Sequence, residues 1–403
     1  MILILLQQTP KNTIGIHNFC IFTRSIFNVM LTDFTWLGNG AERDNNRKVH
    51  SLKSNSMKKT LLLFAAICCM VLTYAQAPMA ILTHETNMTP YYGGDALINA
   101  YNAAQDGDLI TLSSGVFSSC NISKAITLRG AGMMTDTATG TTRTLISGDF
   151  RVDNHDTTKS IAFEGLYFGG IIRPDSAWNL QFTKCYLTEI VNYAHYTSRI
   201  WNSNFVHCII PSFKARNFHN THFYNSVISE PSDNSYFSDG WQATDIFAFD
   251  HCIIKLFCNS TYGTTSVNKI YSTNSILVPW DTSNTAAPAN TCMNHEYGIG
   301  ITHHVTPFFH PAEFLDGHHL YNYSDFNQVF VGFDYDVTIF ADYHLLPSVA
   351  ATRIGSDGTQ IGIYGGSMPF DPRILNPSIG HITVGGQTNS QGQLPVTIEV
   401  VND

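Results

Sequence analysis

The chain has 403 residues, 44% of them hydrophobic and only 13% charged, with a formal net charge of -9 at pH 7. That balance argues against nucleic acid or an anionic membrane surface as the main partner, since both call for a dense positive face. With 29 Gly, 18 Tyr and 26 Phe, the composition suits a β-rich chain with many turns around one continuous core.

From Met57 the chain reads Lys58-Lys59, an apolar run from Leu61 to Leu72, then Thr73-Tyr74-Ala75 before Gln76. These are the three regions of a secretory signal peptide over 57–75, with cleavage expected after Ala75 and an exported product. About 12 apolar residues are too few to span a bilayer, so the mature chain is expected to carry no transmembrane segment. Residues 1–56 are read as an upstream extension ahead of the true start and are set aside from the fold. Cys120, Cys185, Cys208, Cys252, Cys258 and Cys292 remain after processing and are expected to be mostly free thiols, because Cys208 and Cys252 stand two repeats apart, too far for a bridge, and no Cys-x-x-Cys pair suggests a metal site.

The mature chain is read as opening with an amphipathic helix over Asp95–Gln105, with Leu97, Ile98, Tyr101 and Ala104 on one face and Gly94-Asp95 as its cap. Such a helix would close the open end of a solenoid. After it come strand-like runs at Leu109–Leu112 and Gly115–Phe117, then Ala125-Ile-Thr-Leu-Arg-Gly-Ala-Gly132.

Six copies of one pattern follow, apolar-x-Phe-x-x-(Cys/Ser/Leu)-x-(Ile/Leu/Phe), beginning at Ile161, Leu180, Ser203, Thr221, Phe247 and Ile270. The steps between Leu166, Cys185, Cys208, Ser226, Cys252 and Ser275 average about 22 residues, a solenoid period. Within each copy the apolar residues alternate, skip two positions and alternate again, so each reads as two short strands meeting at a corner. Gly165, Lys184, His207, Asn225, His251 and Asn274 occupy that corner. All but Lys184 are types that accept a left-handed bend comparatively well. Alternation places Tyr167, Tyr186, Ile209, Val227, Ile253 and Ile276 outside the core as an apolar stripe that needs a cover.

Between the copies lies the densest set of groups suited to chemistry. It comprises Tyr193, His195, Tyr196 and Arg199, with Lys214, Arg216 and His219 one rung on, and Trp201 and Trp241 as stacking surfaces. Cleavage of an acidic polysaccharide by β-elimination needs a base for the proton beside the carboxylate and a cation or Ca²⁺ for the enolate, which Tyr193, His195, Tyr196, Arg199, Lys214 and Arg216 would supply. The same residues also read as solvated surface. Asp149, Asp153 and Asp156 are the nearest approach to a Ca²⁺ set but read as turn residues.

Residues 281–326 break the period and gather His295, Glu296, His303, His304, His310, Glu313, Asp316, His318 and His319. Clustered His can hold a transition metal; no spacing here fits one, and the segment reads as a loop packed on the flank, where it would cover the apolar stripe. Residues 369–403 read as a β-rich tail.

The order of helix, strand, Gly-Val-Phe117 turn and Arg129-Gly-Ala-Gly132 resembles the start of the pectin-lyase-like right-handed parallel β-helix superfamily. Gly355–Gly366 followed by Pro369 resembles the last rung of secreted β-helix repeat proteins common in Bacteroidetes-like bacteria. The resemblance implies an all-β, right-handed parallel β-helix over 76–368 with an N-terminal capping helix. That superfamily holds lyases, hydrolases, epimerases and adhesins, so it leaves two functions open. One is a secreted or surface β-helix that binds a glycan or a partner without catalysis; the other is a polysaccharide lyase. The polygalacturonase type lacks its motifs here, since Asp239-Gly-Trp and Asp316-Gly-His-His do not match them.

Overall fold

Short runs with apolar residues at every second position make strands with one buried face, and the repeat length brings each run back beside its predecessor. The structure, a computed structural model, describes residues 77–136, 140–191, 200–214, 218–229, 247–256, 270–279, 294–301, 319–333, 336–373, 378–384 and 396–401. All lie in one unit, Gln76–Asp403; the expected signal peptide and the residues before it lie outside the described residues.

The chain forms a parallel β-helix. Each repeat copy gives its first strand to one long sheet and its second strand to another. The first sheet runs through Leu109–Leu112, Thr127–Arg129, Ile161–Glu164, Leu180–Thr183, Asn204–Val206, Thr221–Tyr224, Phe247–Asp250, Ile270–Thr273 and Asn294–Glu296, in sequence order. The register is in phase, with Phe163 beside Phe182, Phe182 beside Phe205, Phe205 beside Phe223 and Phe223 beside Phe249. Their rings stack at centroid distances of 4.8, 5.0, 4.7 and 4.9 Å, forming the spine of the core.

All six corner residues have positive φ, from 43° at Asn225 to 64° at Gly165, Lys184 included at 53°. Two further corners follow at Tyr297 and His319. The strand Gly298–Ile301 pairs with Ile276–Pro279, and Leu320–Tyr323 pairs with Gly298–Ile301. The segment expected to break the period therefore carries at least two more rungs.

Three expectations are corrected. The described chain opens not with the helix but with an antiparallel hairpin, β1 (Met79–His84) and β2 (Asn87–Tyr92), whose β1 pairs antiparallel with β3 (Leu109–Leu112) at the end of the first sheet. Pro90 and largely exposed side chains make β2 a poor template for another strand. The helix α1 (Ala96–Ala103) then packs Ala96, Leu97, Ala100 and Tyr101 inward, but Asp95 gives it no side-chain cap; its carboxylate accepts the Ser118 hydroxyl at 2.9 Å instead.

Gly355–Gly366 is not a rung. It belongs to a strap, residues 354–373, that lies along the row of corners and runs against the direction in which the rungs stack. The Ser356 amide donates to Asn274 Oδ1 at 2.8 Å, and His251 Nε2 lies 3.2 Å from Thr359 Oγ1. Asn225 Nδ2 donates to the carbonyls of Ile363 and Gly365, His207 Nε2 to that of Met368, and Lys184 Nζ to that of Arg373. Gly365 is required where it stands, because a Cβ there would run into the Gln360 carbonyl and the His251 ring.

The apolar stripe, its cover expected from 281–326, is met by the strap and the residues leading into it together with Ile299, Ile301 and Phe326 of that segment, most of which lies outside the described residues. Tyr186, Ile209, Val227, Ile253 and Ile276 form a second buried cluster with Phe330, Phe333, Ile339, Tyr343, Leu345, Ile361 and Ile363. Beyond the strap, Ser378–Val384 and Val396–Val401 pair as an antiparallel hairpin, the expected β-rich tail.

Candidate functional site

A third sheet joins the two long ones over three rungs, built from the two-residue strands Ala177–Trp178, Ile200–Trp201 and Phe218–His219. Ala177 and Ile200 point inward and are fully buried. Trp178 and Trp201, in register with one another, face outward and are half-buried. His219 continues the row in register but is buried, its ring stacked on Trp201 at 4.1 Å and 17° as backing rather than as exposed surface.

Each strand ends at a second left-handed corner, occupied by Asn179, Asn202 and Asn220 at φ 54°, 56° and 49°. Asparagine accepts this conformation, and its amide can both donate and accept, so stacked copies form a ladder. Asn220 Nδ2 donates to Asn202 Oδ1 at 2.7 Å, and Asn202 Nδ2 to Asn179 Oδ1 at 3.2 Å. Asn179 closes the run by donating to the carbonyls of Thr157 and Lys159. Two residues further on, Gln181, Asn204 and His222 stand in register on the outer side of the first sheet, with Asn204 Nδ2 donating to Gln181 Oε1 at 3.1 Å.

The result is a grid of three rungs by three positions: aromatic, asparagine, amide or imidazole. At the strand spacing it extends about 10 Å along the axis. All nine of its positions carry side chains without permanent charge. Burial pushes the His222 imidazole below its ordinary value, which favours the neutral ring. Such a surface offers flat apolar rings beside paired donors and acceptors, suited to hydroxyl-rich rings rather than to an anion. Its signal is present in the sequence as Trp178-Asn-Leu-Gln181, Trp201-Asn-Ser-Asn204 and His219-Asn-Thr-His222.

Of the residues expected to act in β-elimination, Tyr193, His195, Tyr196, Arg199 and Arg216 lie outside the described residues, as does Trp241. Lys214 is placed by its backbone at the end of the strand Phe213–Lys214, opposite Val191. Trp201 is the one expected stacking residue that the structure describes, and it sits in the grid. Asp149 is engaged by Arg173 and the Ile171 amide, Asp153 by His155, and Asp156 by Thr158 and Lys159, so the three acids have separate partners. Among the described residues no group of three His, Cys, Asp or Glu is arranged to hold a metal ion. Within 281–326, His319 stacks on Tyr297 at 4.6 Å, while His303, His304, His310, Glu313, Asp316 and His318 lie outside the described residues.

One Thr-His-Asp line lies elsewhere: Thr359 Oγ1 is 3.2 Å from His251 Nε2, and His251 Nδ1 is 3.0 Å from Asp250 Oδ1. The threonine hydroxyl accepts the Gly366 amide at 2.6 Å and contacts the Asp357 carboxylate at 2.9 Å. Its hydrogen-bonding capacity is taken up in fastening the strap, which leaves it no role as a nucleophile.

No protein-family profile, no curated protein and no solved structure matches this chain.

Proposed function

We propose that this chain is an exported, non-catalytic β-helix of the pectin-lyase-like kind that binds a glycan through its third sheet. The observation that carries the reading is the uncharged grid, with Trp178 and Trp201 in register beside the hydrogen-bonded row Asn179, Asn202 and Asn220. Aromatic faces take the apolar faces of sugar rings, and amides at fixed spacing take their hydroxyls. Side chains already held in a ladder give up little conformational freedom on binding. The row is about as long as a disaccharide, so it favours a linear glycan lying along the helix axis.

Electrophoresis of the purified protein through gels containing a β-glucan, a mannan, a xylan, pectate or alginate tests this. Retardation by a neutral polymer, lost in Trp178→Ala and Trp201→Ala without loss of folding, is the expected result. Migration unaffected by every polymer would sink the reading. An ultraviolet signal from an unsaturated product on pectate or alginate, abolished by Arg199→Ala or Tyr196→Phe, would replace it with the lyase, for which Ca²⁺ is the cofactor to vary.

A further inference from the structure

Arg143 stands apart among the described arginines. Arg129, Arg151, Arg173 and Arg373 each meet a carboxylate, and Arg353 donates to the Tyr323 hydroxyl at 2.7 Å. The Arg143 guanidinium has no acceptor among the described residues. It is held instead by stacking, 4.0 Å above the Tyr167 ring, which in turn stacks on Tyr186 at 4.5 Å. Stacking fixes the plane of the cation while leaving its N–H edges free to bind.

Arg143 lines a cleft of about 650 Å³ between the second sheet and the segment leading into the strap. Val116, Leu145, Met134, Ile339 and Phe340 make up most of its remaining wall. Two of them are unusually exposed for their type, Val116 at 52% and Phe340 at 86%. An open cleft of this size can admit a small molecule, with a mostly apolar wall, the side chains of Thr135 and Thr142, and one convergent charged group. An apolar wall next to a fixed, unpaired cation calls for a ligand with the complementary halves.

We infer that this cleft binds a small amphiphilic carboxylate, its anionic end on the Arg143 fork and its hydrocarbon or aromatic body against Val116, Leu145, Ile339 and Phe340. The site is separate from the third sheet and does not depend on the glycan reading.

Calorimetric titration of the full protein with 4-phenylbutyrate and its neutral counterpart 4-phenylbutanol tests the assignment. The acid is expected to bind saturably and more tightly than the alcohol by about tenfold or more, the worth of one charge-assisted hydrogen bond. Arg143→Gln should abolish that difference, and Arg143→Lys should retain part of it, which separates loss of charge from loss of fold. Phe340→Ser, a change at an exposed position, should weaken both probes alike. Equal binding of acid and alcohol, an undiminished preference in Arg143→Gln, or no saturable binding of the acid would each overturn the inference.

Discussion

Asn225 donates a hydrogen bond of 2.8 Å to the carbonyl of Gly365, a residue 140 positions further along the chain. Its amide makes a second bond, at 2.9 Å, to the carbonyl of Ile363. The same asparagine turns its own rung in the left-handed conformation, so one side chain serves both the local corner and the long-range closure.

Replacing Asn225 separates these two tasks. Asn225→Gly keeps the positive φ but strands two buried carbonyls, at an expected cost of about 2 kcal/mol. Asn225→Asp, nearly the same shape, sets a carboxylate against those carbonyls and should cost more than the glycine. Urea denaturation of the two variants measures the order; an aspartate more stable than the glycine would refute the strap contact.

The ring column predicts a larger effect in the core. Phe205 is fully buried between Phe182 and Phe223, so Phe205→Ala should destabilise by about 3–5 kcal/mol, as cavities of this kind do. Met88→Ala, at a 72% exposed position on β2 at the end of the same sheet, should change stability little. Thermal or denaturant unfolding of both variants checks the contrast.

Cys185, Cys208 and Cys252 are free and buried, and burial pushes the Cys208 thiol up to about 12 and the other two upward as well. Reaction needs thiolate. Iodoacetamide at neutral pH should leave all three unlabelled in the folded protein and label them after denaturation, as read by peptide mass. Labelling of any of them under native conditions would contradict their burial in the core.

Acid should loosen the strap. Burial pushes the His207 imidazole below its ordinary value, with Lys184 acting in the same sense and the Met368 carbonyl and Asp371 opposing it. The unfolded chain therefore takes up this proton first, near pH 6.5, and the stability present above that pH is lost as pH falls through it. His222 shifts in the same direction through burial. Melting temperatures at about pH 7.5 and about pH 5.5 should differ less in His207→Asn than in the original protein; His222 adds in the same sense, while His84, raised by its hydrogen bond to Asp108, acts in the opposite one.

The rungs were legible because a buried strand pair leaves a strict mark: Phe182, Cys185 and Leu187 recur as Phe205, Cys208 and Ile210 and again as Phe223, Ser226 and Ile228. The mark fades at the later rungs because the Phe place is held by Ser272 and then His295, Gly298 stands where the copies have Cys, Ser or Leu, and the corners are Tyr297 and His319. That the outward stripe needed a cover was also readable, since Ile209, Val227 and Ile253 cannot face water together. The strap that meets it was not, because its polar anchors come one per rung, and each Asn or His was already explained by its bend. Trp178 carries no periodic signal because a two-residue strand has no periodicity; only the recurrence of Trp-Asn ahead of the copies announces it. Of the groups expected to perform elimination, the structure describes Lys214 by its backbone alone.

In a simple solenoid each repeat touches only its neighbours, so stability propagates one step at a time and the ends can fray. Here a single stretch of chain is bonded to the corners of five successive rungs, from Lys184 to Asn274. Opening any one of those rungs pulls on a tether shared with the other four. The middle of the stack is thereby made one cooperative block, and that block is complete only when residues 356–373 have been laid back along rungs formed 82 to 189 positions earlier.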